Sequence, residues 1–595
     1  MGITGWIDTA RDLRGERAIL QALAAALGPA AGSDRLDQAS RHAALARRGR
    51  ATGYADWRHP DRSDPDLMLL IDGALANRER LEEQLYQRAR PLSSDAEVLL
   101  HAYRQWGAAM VDRIDGTYTI AVWDNLARQL LLIRDPLGAK TLYWTPCPDG
   151  MLFASRATTL LAHPGVDARV DAEGLNELLT LGPVCTPGHG VIAGVRQLLP
   201  GQLLRFTPAG MRLHRYWQLQ ADEHGQDLDA TTHSLRQAVA EKTAPLRRRP
   251  AGAVLLSGGI ASAAAAAFTT PLPVDGDRPA AYSLTLATPG SQPPGVGADV
   301  VAAAQVAGHL ALNWTIVAVG ADTLLDAAAA ARTALDFPGP ANLDATRYAL
   351  LRRTAADGHT SVVSGDGVDA VFGGYRWLHD HEALAHDEFP WRPTGLCASD
   401  LLTDDARWHL IPGAYLKMRF EQAKEDVPAL RGEDVITGRR RLMGHLALTH
   451  YLPQLLVRLD QLAAATGLNV HTPFADWLLA QYLWNVPHLL RHLLGVPSGL
   501  LRHAVADLLP AAATWLPSGP FPGAHLLPAW EQTQRERLLA ISSDPAAPLY
   551  GLLHRTRVRY VMRQGPTVPR RAWHTTVAYL NEVNAWFDRH DVTLT

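Results

Sequence analysis

Val254-Leu255-Leu256-Ser257-Gly258-Gly259-Ile260-Ala261-Ser262 is an apolar run that breaks into Ser-Gly-Gly and leads into an alanine tract. Apolar residues, then small residues, then helix formers read as a buried strand, a tight turn and a helix N-terminus. Backbone N–H groups and the positive helix end converge at such a junction, which suits a phosphate. A strand-to-helix turn that binds nothing carries the same pattern, so the rest of the chain has to decide.

Working outward, a helix expected from Thr232 to about Arg247 precedes the loop, and a second strand is expected near Ala280–Leu284. Alanine-rich helices are expected at about 298–308 and 322–335, with a Pro/Gly-rich loop at Pro289–Pro294. Strand, loop, helix and strand in this rhythm predict a parallel, doubly wound sheet. Farther along, Val362-Val363-Ser364-Gly365-Asp366-Gly367-Val368-Asp369 is another strand running into a glycine- and acid-rich turn, and Phe372-Gly373-Gly374-Tyr375 follows it.

The N-terminal part reads differently. Thr117–Asp124 and Leu130–Asp135 are β-rich runs separated by a polar turn, a hairpin pattern. Ser94-Asp95-Ala96-Glu97 opens a capped helix. This alternation predicts a layered α+β domain. The polar stretch Ala221–Asp227 reads as the connection between the two parts.

Composition bounds the function. At 595 residues the chain needs at least two cores. A net charge of −3 gives no broad basic surface for nucleic acid or an acidic membrane, so neither is an expected partner. No apolar run is long and clean enough for a bilayer span, and the N-terminus does not read as a signal peptide. Cys147, Cys185 and Cys397 are too few and scattered for a disulfide framework or zinc site, so a reducing cytoplasm is expected. Lysine is restricted to Lys140, Lys242, Lys417 and Lys424.

Ser257–Ser262 resembles the pyrophosphate loop Ser-Gly-Gly-x-Asp-Ser of glutamine-dependent asparagine synthetases, and Ser364–Tyr375 resembles that family's Ser-Gly-Glu-Gly-x-Asp-Glu-x-Phe-Gly-Gly-Tyr. Arg458-Leu459-Asp460-Gln461, Gly467–Asp476 and Leu500-Leu501-Arg502 are similar to its later motifs. Asp115–Asp124, Arg134–Lys140 and Leu142–Trp144 are similar to its class II glutaminase domain. The resemblance runs nearly the whole length. It implies a degenerate glutaminase-like α+β sandwich of the Ntn type over 1–217 and a linker over 218–230. It also implies an ATP-pyrophosphatase-like α/β doubly wound domain with a helical C-terminal part over 231–595.

The departures from that family decide the expected chemistry. The family's N-terminal cysteine, whose thiol attacks glutamine while its amine serves as base, is absent from Met1-Gly2-Ile3-Thr4. The arginine that would hold glutamine falls on Gly49, and the oxyanion Asn-Gly becomes Asp72-Gly73, the wrong sign for a developing negative charge. Asp95, expected near the glutamine amine, is kept. In the loop the aspartate is Ala261, and the last acid of the second turn is Ala370. The expected catalytic lysine falls within Leu516–Gly519, where there is none. Magnesium wants carboxylate and phosphate oxygens, and only Asp369 is left as a metal ligand. Ser257, Gly258, Gly259, Ser262, Ser283 and Gly365 are the candidate nucleotide-binding residues, and ATP with magnesium is expected to bind weakly if at all.

Three functions stay open. The old cleft is reused by an enzyme of specialised metabolism acting on an amino-acid-derived small molecule, with His471, Asp366 and Tyr348 as catalytic candidates. Relatives such as β-lactam synthetase and lasso-peptide cyclase, which close amide bonds without glutaminase activity, make this conceivable. Alternatively, the chain is a pseudoenzyme serving as a binding or scaffold partner, dimerising with itself or with an active relative. The third is an ordinary asparagine synthetase. For His471 a packed, neutral ring, for Asp366 and Asp369 turn capping, and for Asp344, Tyr348 and Asp460 a structural role compete with chemistry.

Overall fold

The computed structural model describes residues 2–28, 35–49, 52–58, 64–85, 92–248, 252–270, 278–287, 297–392, 395–517, 527–565 and 570–595. The chain divides into two compact units, one of residues 1–174, 186–218 and 590–595, the other of 175–185 and 219–589. It is therefore not cut at a single linker: 175–185 belongs to the second unit and the last six residues to the first.

The first unit carries β1 (Gly2–Asp8), β2 (Arg35–Ala39), β3 (Ala43–Arg48), β4 (Thr52–Trp57), β5 (Leu67–Leu75), β6 (Gly116–Asp124), β7 (Gln129–Arg134), β8 (Tyr143–Cys147), β9 (Gly150–Ala154), β10 (Arg169–Val170), β11 (Arg196–Gln197), β12 (Gln202–Thr207) and β13 (Gly210–Arg215). One sheet runs β11-β8-β9-β1-β3-β2 and the other β13-β12-β7-β6-β5-β4, with antiparallel neighbours throughout. Side chains alternate across a strand, and β5 uses both faces. Met68 and Leu70 join Ile3, Ile7, Leu45, Trp123 and Phe153 between the sheets, while Leu67, Leu69 and Ile71 pack under the helix Asp95–Trp106. A strand buried on both sides reads as continuous apolar sequence. The helix Arg17–Ala26 lies against β1 and β3, completing helix, sheet, sheet and helix layers.

The expected hairpin is the β6–β7 pair, and Ser94 caps its helix by accepting from the Glu97 N–H at 3.2 Å.

The second unit is built on a parallel sheet of β14 (Ala253–Leu255), β15 (Ala280–Leu286), β16 (Asn313–Val319), β17 (Ser361–Val363) and β18 (Asn469–His471) in the order β16-β15-β14-β17-β18. The helices Ile260–Thr269 and Ala298–His309 connect β14 to β15 and β15 to β16; Ala321–Ala334 and Ala341–Ala356 lead to β17. The helix leading into β14 spans Leu228–Arg248, beginning four residues before the expected Thr232, because Asp227 accepts the Ala230 N–H at 2.9 Å and starts the turn. The Pro289–Pro294 loop lies outside the described residues.

After β17 the chain is mainly helical, including Val435–Leu446 and Leu452–Thr466. A second cluster in this region gathers Leu378, Phe389, Phe420, Met443 and Leu446. No helix among the described residues is long and apolar enough to cross a membrane.

Candidate functional site

In β16-β15-β14-β17-β18 the connections run one way from β14 to β16 and the other way from β17 to β18. Ligands of such sheets bind beyond the carboxyl ends of the strands where the order reverses, here the ends of β14 and β17. The structure places Ser257–Ser262 and Ser364–Asp369 there, and β18 ends on His471 beside them. The Ser364 N–H donates to the His471 carbonyl at 2.9 Å.

The loop after β14 is closed on itself. The Ser257 N–H donates to Ser262 Oγ at 3.0 Å, the two serine hydroxyls meet at 2.9 Å, and the Gly259 N–H faces Ser257 Oγ at 3.3 Å. Ser262 in turn donates to the Gly259 carbonyl at 3.0 Å. Groups that would meet a phosphate are thus engaged within the loop. Gly258 has φ +89°, and a β-carbon on it would stand 1.9 Å from the Asp299 carbonyl oxygen, so glycine is required there by both conformation and space. Gly365 is required by space alone: its β-carbon would come within 2.5 Å of the Ala261 carbonyl.

Ser283 lies on β15, its hydroxyl donating to the Leu256 carbonyl and accepting from Trp314 Nε1 at 2.7 Å. That proton is committed to holding strand to strand.

The two acids of the second turn differ. Asp366 is held by Arg347 Nη2 at 2.8 Å and by the Ser364 hydroxyl at 2.6 Å. Asp369 receives no side-chain hydrogen bond from the described residues. Burial pushes its carboxyl up to about 6, the charge of Asp366 adds to the shift, and Arg502 opposes it. A β-carbon on Gly374 would sit 2.0 Å from Asp369 Oδ1 and 2.8 Å from Ser498 Oγ, so the carboxyl and this buried hydroxyl share the space over Gly374. Arg502 turns Nε to the Pro497 carbonyl at 3.0 Å and Nη1 to that of Leu516 at 3.0 Å.

The three catalytic candidates do not form an acid–base set. His471 is half-buried, burial lowers its pKa, and its ring makes no hydrogen bond with the described residues. Tyr348 packs against the core of the sheet and its helices, with the Arg352 guanidinium 6.0 Å from its ring centre. Consecutive helical residues point about 100° apart, so the Arg347 that reaches Asp366 leaves Tyr348 on another face. Asp344 is buried in an ion pair with Arg458, whose Nη1 also donates to the Phe337 carbonyl at 3.1 Å.

The residues present do not fit a magnesium-bound triphosphate. Magnesium takes one or two carboxylates with phosphates and waters; position 261 offers a methyl group, Asp366 is engaged by Arg347, and the one carboxyl left, Asp369, is buried with a raised pKa.

In the first unit, β1 begins at Gly2 with φ +146°, and a β-carbon on it would lie 2.4 Å from Ser155 Cβ. Ser155 Oγ accepts from the Ile3 N–H at 3.0 Å and donates to Asp72 Oδ2 at 3.2 Å. Lys140 Nζ stands 3.1 Å from Asp72 Oδ1, both side chains buried. The place of a thiol and an oxyanion hole is filled by a serine and an ion pair. Asp95 is engaged too, accepting from the Leu75 N–H at 2.9 Å. The cysteines offer no substitute nucleophile: burial raises each thiol, Cys147 to about 11.

Sequence reasoning passed over Arg347, Ser155 and Ser498. Nothing local marks them; each acts across more than a hundred residues or from a different element. Lys140 stood in a quoted motif, and its rarity as a lysine was the available signal.

Comparison with known proteins agrees with this architecture. The Asparagine synthase family model matches residues 230–588, and the Glutamine amidotransferase domain model matches residues 2–217. Asparagine synthetase [glutamine-hydrolyzing] 3 of Bacillus subtilis (strain 168) is 28% identical, the alignment covering 100% of this chain and 99% of that one. Asparagine synthetase [glutamine-hydrolyzing] 2 of the same organism is 24% identical over 77% of this chain and 62% of its own. Amidase chry2 of Gibberella zeae is 27% identical over 54% and 49%. Two domains, a glutamine-amidotransferase-like sandwich and an asparagine-synthase α/β domain, are thereby fixed: the chain belongs to the asparagine synthase family.

Proposed function

We propose that the chain is a non-catalytic member of its family, a pseudoenzyme that uses the inherited scaffold to bind a ligand or a protein partner, its own copy or an active relative included. One observation carries this reading: the phosphate loop has its serine hydroxyls and the N–H groups of Ser257 and Gly259 bonded within itself, with Ala261 in place of an acid. Stabilising a pyrophosphate leaving group is an electrostatic task worth several kcal/mol, and a helix end alone offers about 0.3–1 kcal/mol towards an anion. The filled Gly2–Ser155–Asp72–Lys140 network supports the same conclusion for glutamine hydrolysis.

A second reading rests on His471, a neutral imidazole at the carboxyl end of β18 with no hydrogen bond among the described residues. There it serves as acid or base for an amino-acid-derived substrate in a repurposed enzyme, with Asp366 nearby in the fold. Incubation with ATP, magnesium, aspartate and glutamine, followed by mass spectrometry, tests the proposal. No AMP, glutamate or new amide is expected; turnover lost in His471→Ala would replace the first reading with the second.

A further inference from the structure

Three arginines follow one another on the helix Val435–Leu446, and two have carboxylate partners. Arg439 is bound by Asp387 at 2.5 Å and Arg441 by Glu433 at 2.5 Å. Arg440 between them has no hydrogen bond or ion pair with the described residues, and its Nε is fully buried. Arg491, at the end of the helix His488–Arg491, is in the same state. Both side chains are half-buried, and a guanidinium withdrawn this far from water without a counter-charge is costly.

Three imidazoles surround this unpaired charge. His379 and His492 stack with ring centres 3.8 Å apart, and His488 lies 5.3 Å from His379 and 5.2 Å from His492. His379 Nε2 meets the Gly373 carbonyl at 2.8 Å, while the Nδ1 atoms of His379 and His492 are buried without a partner. Burial holds all three histidines low, joined at His379 and His488 by the other rings and the two arginines and at His492 by Arg440, with His379 at about 4 and His488 at about 3. Arg440 acts on every ring, and no carboxylate acts on His492 or Arg491.

The histidine ligand atoms lie within 4.8 Å of one another, which invites a metal reading. Two unpaired guanidiniums acting on these rings would repel a cation.

We propose that Arg440, Arg491, His488 and His492 form a binding site for a phosphate-type oxyanion, with His379, whose N–H is spent on the Gly373 carbonyl, stacked on His492. Guanidinium forks and the N–H groups of His488 and His492 are donors matched to such oxygens. The site is separate from the β14–β17 crevice and independent of the function proposed above. It touches that crevice through the chain: the carbonyl that His379 holds belongs to Gly373, and the next residue, Gly374, packs on Asp369. An anion here would fix the segment that carries the acid turn.

Calorimetric titration of the full-length protein with inorganic phosphate, at constant ionic strength, tests this. One site is expected, weakened about tenfold or more in each of Arg440→Gln and Arg491→Gln and unchanged in Arg353→Gln, whose arginine pairs with Asp357 elsewhere. In the unaltered protein, phosphate should shift the ring NMR signals of the three histidines, a readout that needs no variant to fold. Absence of both heat and shifts at millimolar phosphate would overturn the proposal. So would affinity unchanged from that of the unaltered protein in both variants, or stoichiometric zinc binding abolished by His379→Ala.

Discussion

Lys140 Nζ stands 3.1 Å from Asp72 Oδ1 with both side chains more than nine-tenths buried, and Ser155 ties that carboxylate to the first residues of β1. The pair lies where the resemblance implied an uncharged oxyanion donor. Removing one partner of a buried pair leaves a stranded charge and costs about 3–5 kcal/mol, while replacing both by neutral groups costs little. Lys140→Met is therefore expected to lower first-unit stability by that amount, and adding Asp72→Asn to recover most of it. Denaturant unfolding of the two variants beside the unaltered protein checks this.

Gly2→Cys restores the residue type of the family nucleophile without restoring room for it. Its β-carbon would meet Ser155 Cβ at 2.4 Å, and φ +146° is strained for any side chain. Overpacking of this kind costs about 1–3 kcal/mol. The variant should lose stability and release no glutamate from glutamine above the protein-free rate.

Gly365→Ala drives a methyl group to 2.5 Å from the Ala261 carbonyl carbon, which is backbone and cannot swing aside. A loss of about 1–3 kcal/mol is expected in the second unit, measurable as a lower thermal midpoint.

Asp369 makes stability depend on pH. Its folded pKa of about 6 lies above the ordinary carboxyl value, so folding favours the protonated form. The contribution is fully present below the unfolded pKa and is lost as pH rises through about 6. Asp369→Asn should match the unaltered protein below about pH 4 and exceed its stability by roughly 2–3 kcal/mol above pH 7. Unfolding curves across that range decide it.

Much of the architecture was legible because periodicity and turn chemistry are local. Val254–Ser262 announced β14, its turn and its helix, and Thr117–Arg134 announced the β6–β7 hairpin. The exchange of 175–185 and 590–595 between the units was not legible, since it depends on contacts distant in sequence. The site was half legible. Ser257, Ser262, Asp366 and Asp369 come together because strand ends bring them there, whereas Tyr348 packs into the core of the sheet and Ser283 spends its hydroxyl between strands. Which acid is engaged and which stands alone depended on Arg347 and Ser498, whose reach no spacing rule encodes.

We propose that ATP-driven chemistry has been lost from the β14–β17 crevice. Ala261→Asp alone should not revive it, because Asp366 stays bound to Arg347 and no lysine is supplied. The most direct measurement is AMP formation from ATP and magnesium, with aspartate and either glutamine or ammonia, by the unaltered protein. AMP is expected at the protein-free level under both conditions. AMP released with asparagine at an ordinary enzyme's rate, on the order of one per second or faster, would contradict it.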